Sequence, residues 1–235
     1  MVGCLPSRKT TDTPMTSITQ VLDTFPEKEL VAWQLRDPKK AKQVSEEAKR
    51  IGTVVDQHIQ ADCQGRLRNA SPSLTIPINA AELTAITTCL RGWEQFQIEH
   101  PDFVSSITGI QTELIREEYI GHPDIELSYD HDGVRKDGLV SIKCSGQIRP
   151  THFTQEAGYS WLKNPEVNVD FINILRLDKI TGSYEYVELT DPDQIDYEVQ
   201  VWLNYKVLYE HRQRVAERSR TQREEAVLHD PHDYP

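Results

Sequence analysis

Residues 121–145 read GHPDIELSYDHDGVRKDGLVSIKCS, and the alternation inside this stretch decides the fold. Ile125, Leu127 and Tyr129 alternate with Asp124, Glu126 and Ser128, the period-two pattern of a half-buried strand over Pro123–Tyr129. Asp130–Gly138 is rich in turn residues and predicts a polar hairpin loop. Leu139–Cys144 is short and apolar, as a central strand is, except at Lys143. Strand alternation sends Ser141 and Lys143 to one face, and Val140 and Ile142 to the other. A lysine inside a sheet is costly unless its ammonium is partnered, and Asp124 on the neighbouring strand is the obvious anion. The plainer alternative is a structural ion pair, or a lysine whose stem lies along the sheet with its head in water.

Outward from this hairpin, the periodicity changes. On the N-terminal side the spacing of Ile18, Val21, Leu22 and Phe25 predicts a helix over Met15–Phe25, capped by Thr16 or Ser17. Pro26 breaks it, and Glu27–Leu35 restarts a short helix. Pro38 suits the first turn of a long helix reaching Cys63, with Val44, Ala48, Ile51, Val55 and Ile59 on one stripe. Gly65–Pro77 is a turn-rich connection, Ala80–Glu99 another helix, and Ile107–Tyr119 a strand. On the C-terminal side a helix is expected over Phe153–Leu162. Two strands follow, Val167–Leu177 and Tyr184–Leu189, joined by an Asp178–Ser183 turn, and a last helix spans Pro192–Ala226. This order predicts an α/β fold with one mixed central sheet flanked by helices. It forms a single domain over residues 15–226, with a disordered lead-in over 1–14 and a loose tail over 227–235.

Composition narrows the function. No apolar run is long enough for a membrane span, so a soluble protein is expected. The cysteines, Cys4, Cys63, Cys89 and Cys144, form no CxxC pair, which excludes a zinc ribbon and predicts reduced thiols in a cytoplasmic compartment. No Gly-rich phosphate loop is present, which argues against an ATPase. The net charge is −11, yet Lys206, Arg212, Arg214, Arg218, Arg220 and Arg223 face only Glu210 and Glu217. Overall acidity therefore does not exclude nucleic acid, although a solvated helix face is the simpler explanation of the strip. Trp33, Trp93, Trp161 and Trp202 fall at apolar helical positions, where core packing is the default. His229, Asp230 and His232 read as part of the tail.

Three features recur in a familiar order: Gly121-His122-Pro123-Asp124, then Ser141-Ile142-Lys143, then Gln155 and Tyr159 four apart on one helical face. This order resembles the RecB-like branch of the PD-(D/E)XK nuclease superfamily, which also includes phage and mitochondrial exonucleases. Its pattern is Gly-x-x-Asp opening a strand, acid-x-Lys on the next, and Gln-x-x-x-Tyr on the following helix. The segments SITQVLDTFPEKELVAW, RIGTVVDQHI and GSYEYVEL are similar to the family's flanking elements, and the likeness spans about residues 16–217.

The resemblance implies a restriction-endonuclease-like core and a metal-dependent deoxyribonuclease acting on DNA ends or single strands. Carboxylates would hold Mg²⁺ or Mn²⁺ through hard oxygen ligands, and the lysine would orient water and offset transition-state charge. Asp124 would be a metal ligand, Lys143 the catalytic lysine, and Gln155 and Tyr159 its supports. Two positions depart from the pattern. Ser141 stands where the second acid is expected, and Asp56 where the first motif often has histidine. Asp56, with Glu113 on the preceding strand, supplies the missing charge on one reading. On another the chain is a pseudo-nuclease that binds nucleic acid without cutting, and on a third Ser141 is an introduced substitution.

Overall fold

The computed structural model describes residues 15–65 and 76–228. The lead-in, most of the Gly65–Pro77 connection, Cys4 and the His229–His232 group lie outside the described residues.

The hairpin read from residues 121–145 forms the centre of the molecule. Strands β5 (Ile125–His131) and β6 (Val134–Lys143) pair antiparallel, from His131 opposite Val134 to Ile125 opposite Val140. The expected nine-residue loop shrinks to the turn at Asp132 and Gly133, both with positive φ of 52° and 77°. Such a turn matches the twist of the flanking strands, so pairing runs up to it. The polarity of Arg135, Lys136 and Asp137 therefore reports a strand end that emerges from the sheet, exposed at Val134 and Arg135 and half-buried at Lys136 and Asp137, not a loop.

The chain leaves β6, crosses through α5 (Pro150–Lys163) and returns as β7 (Phe171–Leu177), parallel to β6. β8 (Tyr184–Leu189) pairs antiparallel with β7, and β2 (Ile107–Ile110) with β5. The result is a five-stranded mixed sheet in the order β2-β5-β6-β7-β8. The expected strand Ile107–Tyr119 is broken into three: β2, β3 (Leu114–Arg116) and the start of β4 (Tyr119–Gly121). Positive φ at Gln111 (49°) and Glu117 (52°) reverses the chain twice. β3 and β4 leave the main sheet and form a small one with β1 (Thr16–Ser17).

Helices cover both faces. α3 (Pro38–Cys63) and α4 (Ala80–Glu99) pack Ile51, Val55, Ile86 and Trp93 against Val140 and Leu175. α1 (Ile18–Asp23), α5 and α6 (Pro192–Leu228) pack Ile18, Trp161, Ile195 and Trp202 against Leu139, Ile172 and Ile174. Both helix starts of the first layer are capped locally. Asp37 accepts from the Lys40 N–H, and Asn79 and Glu82 form a reciprocal capping box. In α1 the cap is Ser17, one of the two expected residues, but the helix covers only the middle of Met15–Phe25 because Thr16 and Ser17 join β4 instead. α2 (Lys28–Arg36) leaves Trp33 partly exposed, while Trp93, Trp161 and Trp202 are buried. Ile174 has no exposed surface, and Ile174→Ala is expected to cost about 2–5 kcal/mol. Architecturally this is a mixed α/β sandwich consistent with a restriction-endonuclease-like core. Among the described residues no helix is long and apolar enough to cross a membrane.

Candidate active site

The site gathers where β5 begins and β6 ends. Asp124, the residue before β5, directs its carboxylate across to β6. Its Oδ2 accepts from the Ile142 backbone N–H at 2.8 Å and the Ser141 hydroxyl at 3.1 Å, and its Oδ1 accepts from Gln111 Nε2 at 3.1 Å. Three donors from two segments hold the side chain on the face carrying Ser141. Lys143 shares that face by alternation, so Asp124 and Lys143 lie on one side of the sheet.

They do not pair. Lys143 Nζ donates to Gln155 Oε1 at 2.9 Å. An ammonium only donates, so Gln155 must present its carbonyl, which turns its amide outward. That amide donates to Tyr159 OH at 3.3 Å and Thr19 Oγ1 at 3.0 Å. The lysine is therefore held by an amide relay running from α5 to α1, not by the carboxylate expected from the sequence. Burial pushes the Tyr159 phenol well above its usual range, so it stays protonated.

Two further carboxylates approach from the helical layers. Asp56, on α3, has Oδ2 accepting from Gln60 Nε2 at 2.6 Å, while its buried Oδ1 has no partner. Burial, reinforced by the charge on Asp124, pushes it up to about 6. Glu156, on α5, has no exposed surface, and neither of its oxygens is hydrogen-bonded. Burial pushes it up to about 8; Lys143 and the Ser141 hydroxyl oppose the shift and Asp124 adds to it. Sequence reasoning passed over Glu156 because its neighbours Gln155 and Tyr159 carried the motif. The available signal was a carboxylate within Thr154–Leu162, a run that is otherwise small, amide or apolar apart from Tyr159.

Glu113 is not part of this group. It lies in the turn between β2 and β3, not on a strand, and its carboxylate is 3.7 Å from His122 Nε2 at the exposed rim. His152, at the start of α5, was also missed. Its Nδ1 accepts the Arg149 N–H at 3.2 Å, which requires a neutral ring. Burial, with Lys143 and Arg149 nearby, pushes it down to about 4.

The donor set suits a hard divalent cation in kind: carboxylate oxygens around a single ammonium, three of them buried without partners. Among the described residues, however, no three His, Cys, Asp or Glu side chains are gathered into a ready-made metal cage.

No protein-family model and no curated protein matches the chain. Several solved structures share a distant likeness, SSO0001 and LHK-Exo among them. The crystal structure of SSO0001 is 14% identical with a TM-score of 0.37, over 86% of this chain and 79% of that one. That of LHK-Exo in complex with dAMP is 18% identical with a TM-score of 0.34, over 73% of this chain and 92% of that one. Likeness at this level decides neither fold nor function.

Proposed function

We propose that this chain is a metal-dependent DNA nuclease of the PD-(D/E)XK type, RecB-like branch, an exonuclease hydrolysing phosphodiester bonds at DNA ends or in single strands. The observation that carries this reading is the hydrogen-bonded row Lys143–Gln155–Tyr159 beside Asp124. Residues of the three motifs lie near one another, which supports this reading. Asp124 would hold Mg²⁺ or Mn²⁺, with the Asp56 carboxylate and the Ser141 hydroxyl as candidate further ligands. Bound there, the cation would polarise a phosphodiester and acidify a coordinated water.

The protein's own part is positional. Gln155 takes one of the three Lys143 N–H donors and leaves two for a phosphate oxygen and the attacking water. As water adds to phosphorus and the bridging P–O bond breaks, the fixed ammonium offsets charge accumulating on the phosphoryl oxygens. Ser141 in place of an acid, and the lack of a ready-made cage, favour a second reading in which the same surface binds nucleic acid without cutting.

Digestion of end-labelled DNA with Mg²⁺ or Mn²⁺ separates the two. The nuclease reading expects cleavage by the wild type and none by Lys143→Ala with an unchanged circular dichroism spectrum. Salt-dependent DNA binding without cleavage under either metal establishes the binding module instead.

A further inference from the structure

We infer that Glu156 supplies, from helix α5, the acid that β6 lacks at Ser141, and that it is a ligand for a divalent cation shared with Asp124. The inference rests on the reading of this cluster as a metal site and adds a ligand that the motif pattern does not contain.

Four observations converge. Glu156 is wholly buried and both of its oxygens are without a hydrogen-bond partner. Neither oxygen meets hydrogen-bond geometry with any group among the described residues, so a carboxylate here has lone pairs free for a further partner; the Ser141 hydroxyl is the polar group that acts on it. Its neighbour across the helix–sheet interface is Ser141, 1% exposed, the residue that stands where an acid is expected. The single Ser141 hydroxyl proton is directed to Asp124 Oδ2 at 3.1 Å, so as a donor Ser141 can serve only one of the two carboxylates at a time. One serine hydroxyl thus sits between two carboxylates that share no donor of their own.

Lys143, the one ammonium acting on Glu156 among the described residues, is also uncommitted to it. Lys143 feels the charges here, but its hydrogen bond goes to Gln155. Asp124 and Glu156 flank one serine while the lysine is turned to an amide, so if both carboxyls ionise at this point no protein cation is paired with either. A hard cation binds such a point through carboxylates, and its affinity rises with the number of charged ligands. The helix also explains how the exchange of positions works. Gln155 and Glu156 are consecutive on α5, about 100° apart around its axis, so one holds the lysine while the other faces the strand.

The test is titration of the full chain with Mn²⁺ alone, read by calorimetry and by the Mn²⁺-induced rise in melting temperature, for wild type, Asp124→Asn, Glu156→Gln, and Ser141→Asp/Glu156→Gln. Removing a buried, unpartnered carboxylate relieves the fold, so Glu156→Gln is expected to fold at least as well as wild type. The expected result is wild-type binding, a loss of roughly tenfold or more in both single variants, and recovery in the double variant as the acid returns to the strand. If wild type binds and Asp124→Asn does not, while Glu156→Gln binds as tightly as wild type, the inference is overturned and the metal-site reading stands. If wild type binds no Mn²⁺, both fall together.

Discussion

A Cβ placed on Gly121 would lie 2.5 Å from two ring carbons of Tyr159 and 2.9 Å from a methyl carbon of Leu162. The glycine before the acidic strand and the tyrosine of the following helix are thus in direct contact, although 38 residues of chain separate them. Gly121 is needed for closeness of approach, not for turn geometry. Its contact seats α5 against the strand that leads to Asp124, which sets where Gln155 meets Lys143.

Gly121→Ala therefore forces the ring and Leu162 to shift. A cost of about 1–3 kcal/mol is expected in urea denaturation, as for other overpacked cores. Combining it with Tyr159→Leu should recover part of that cost, and strict additivity of the two changes would show that the contact is not the cause.

Gln155 is a positioning residue for Lys143. Gln155→Leu removes the acceptor and should lower kcat roughly tenfold to a hundredfold through a misplaced ammonium, with little change in KM. Gln155→Glu keeps an acceptor at the same reach and should restore most of kcat. Equal losses in the two variants would indicate a packing role for the amide.

Metal-free stability should depend on pH in a window set by three groups. Glu156 and Asp56 are raised from 4.5 to about 8 and from 3.8 to about 6, so each disfavours folding as the unfolded chain ionises first. Their effect is absent at low pH and grows as pH rises toward the folded values. His152 is lowered from 6.5 to about 4, so its stabilising share is present above 6.5 and is lost as pH falls toward 4. Between pH 6.5 and 8 only Glu156 among these three still changes. Wild type in EDTA should lose stability to denaturant across that range, and Glu156→Gln should be flat. A parallel loss in both proteins would count against the buried acid as the source.

Ser141→Asp puts an additional carboxylate beside Asp124 and Glu156. Without metal it should lower the melting temperature, since like charges are crowded into a buried site. With Mn²⁺ the rise in melting temperature should exceed that of wild type, and cleavage should increase if ligation limits the rate. Differential scanning fluorimetry with and without Mn²⁺ checks the first two, and the end-labelled digestion checks the third.

Local pattern alone sufficed to locate most of the secondary structure and the motif order. α3 and α4 span the expected Pro38–Cys63 and Ala80–Glu99, because proline, capping residues and the 3.6-residue stripe act within one segment. Alternation also placed Ser141 and Lys143 on a common face. Pattern misled where the polar outer end of a strand imitated a loop, as at Arg135–Asp137, and where turns hid inside a β-rich run, as at Gln111 and Glu117. Val44, expected on the stripe of α3, is 40% exposed.

The site itself was decided in three dimensions. Asp56, Asp124, Lys143 and Glu156 come from two helices on opposite faces of the sheet and from the two strands of its central hairpin. Periodicity reports which way a side chain points from its own element, but not which other side chains arrive at the same place. That Lys143 turns to an amide, that Asp124 takes the serine proton, and that Glu156 is left buried without a partner depend on packing between layers distant in sequence. The residues were legible one by one; the unmet charge among them appears only once the two layers close over the sheet.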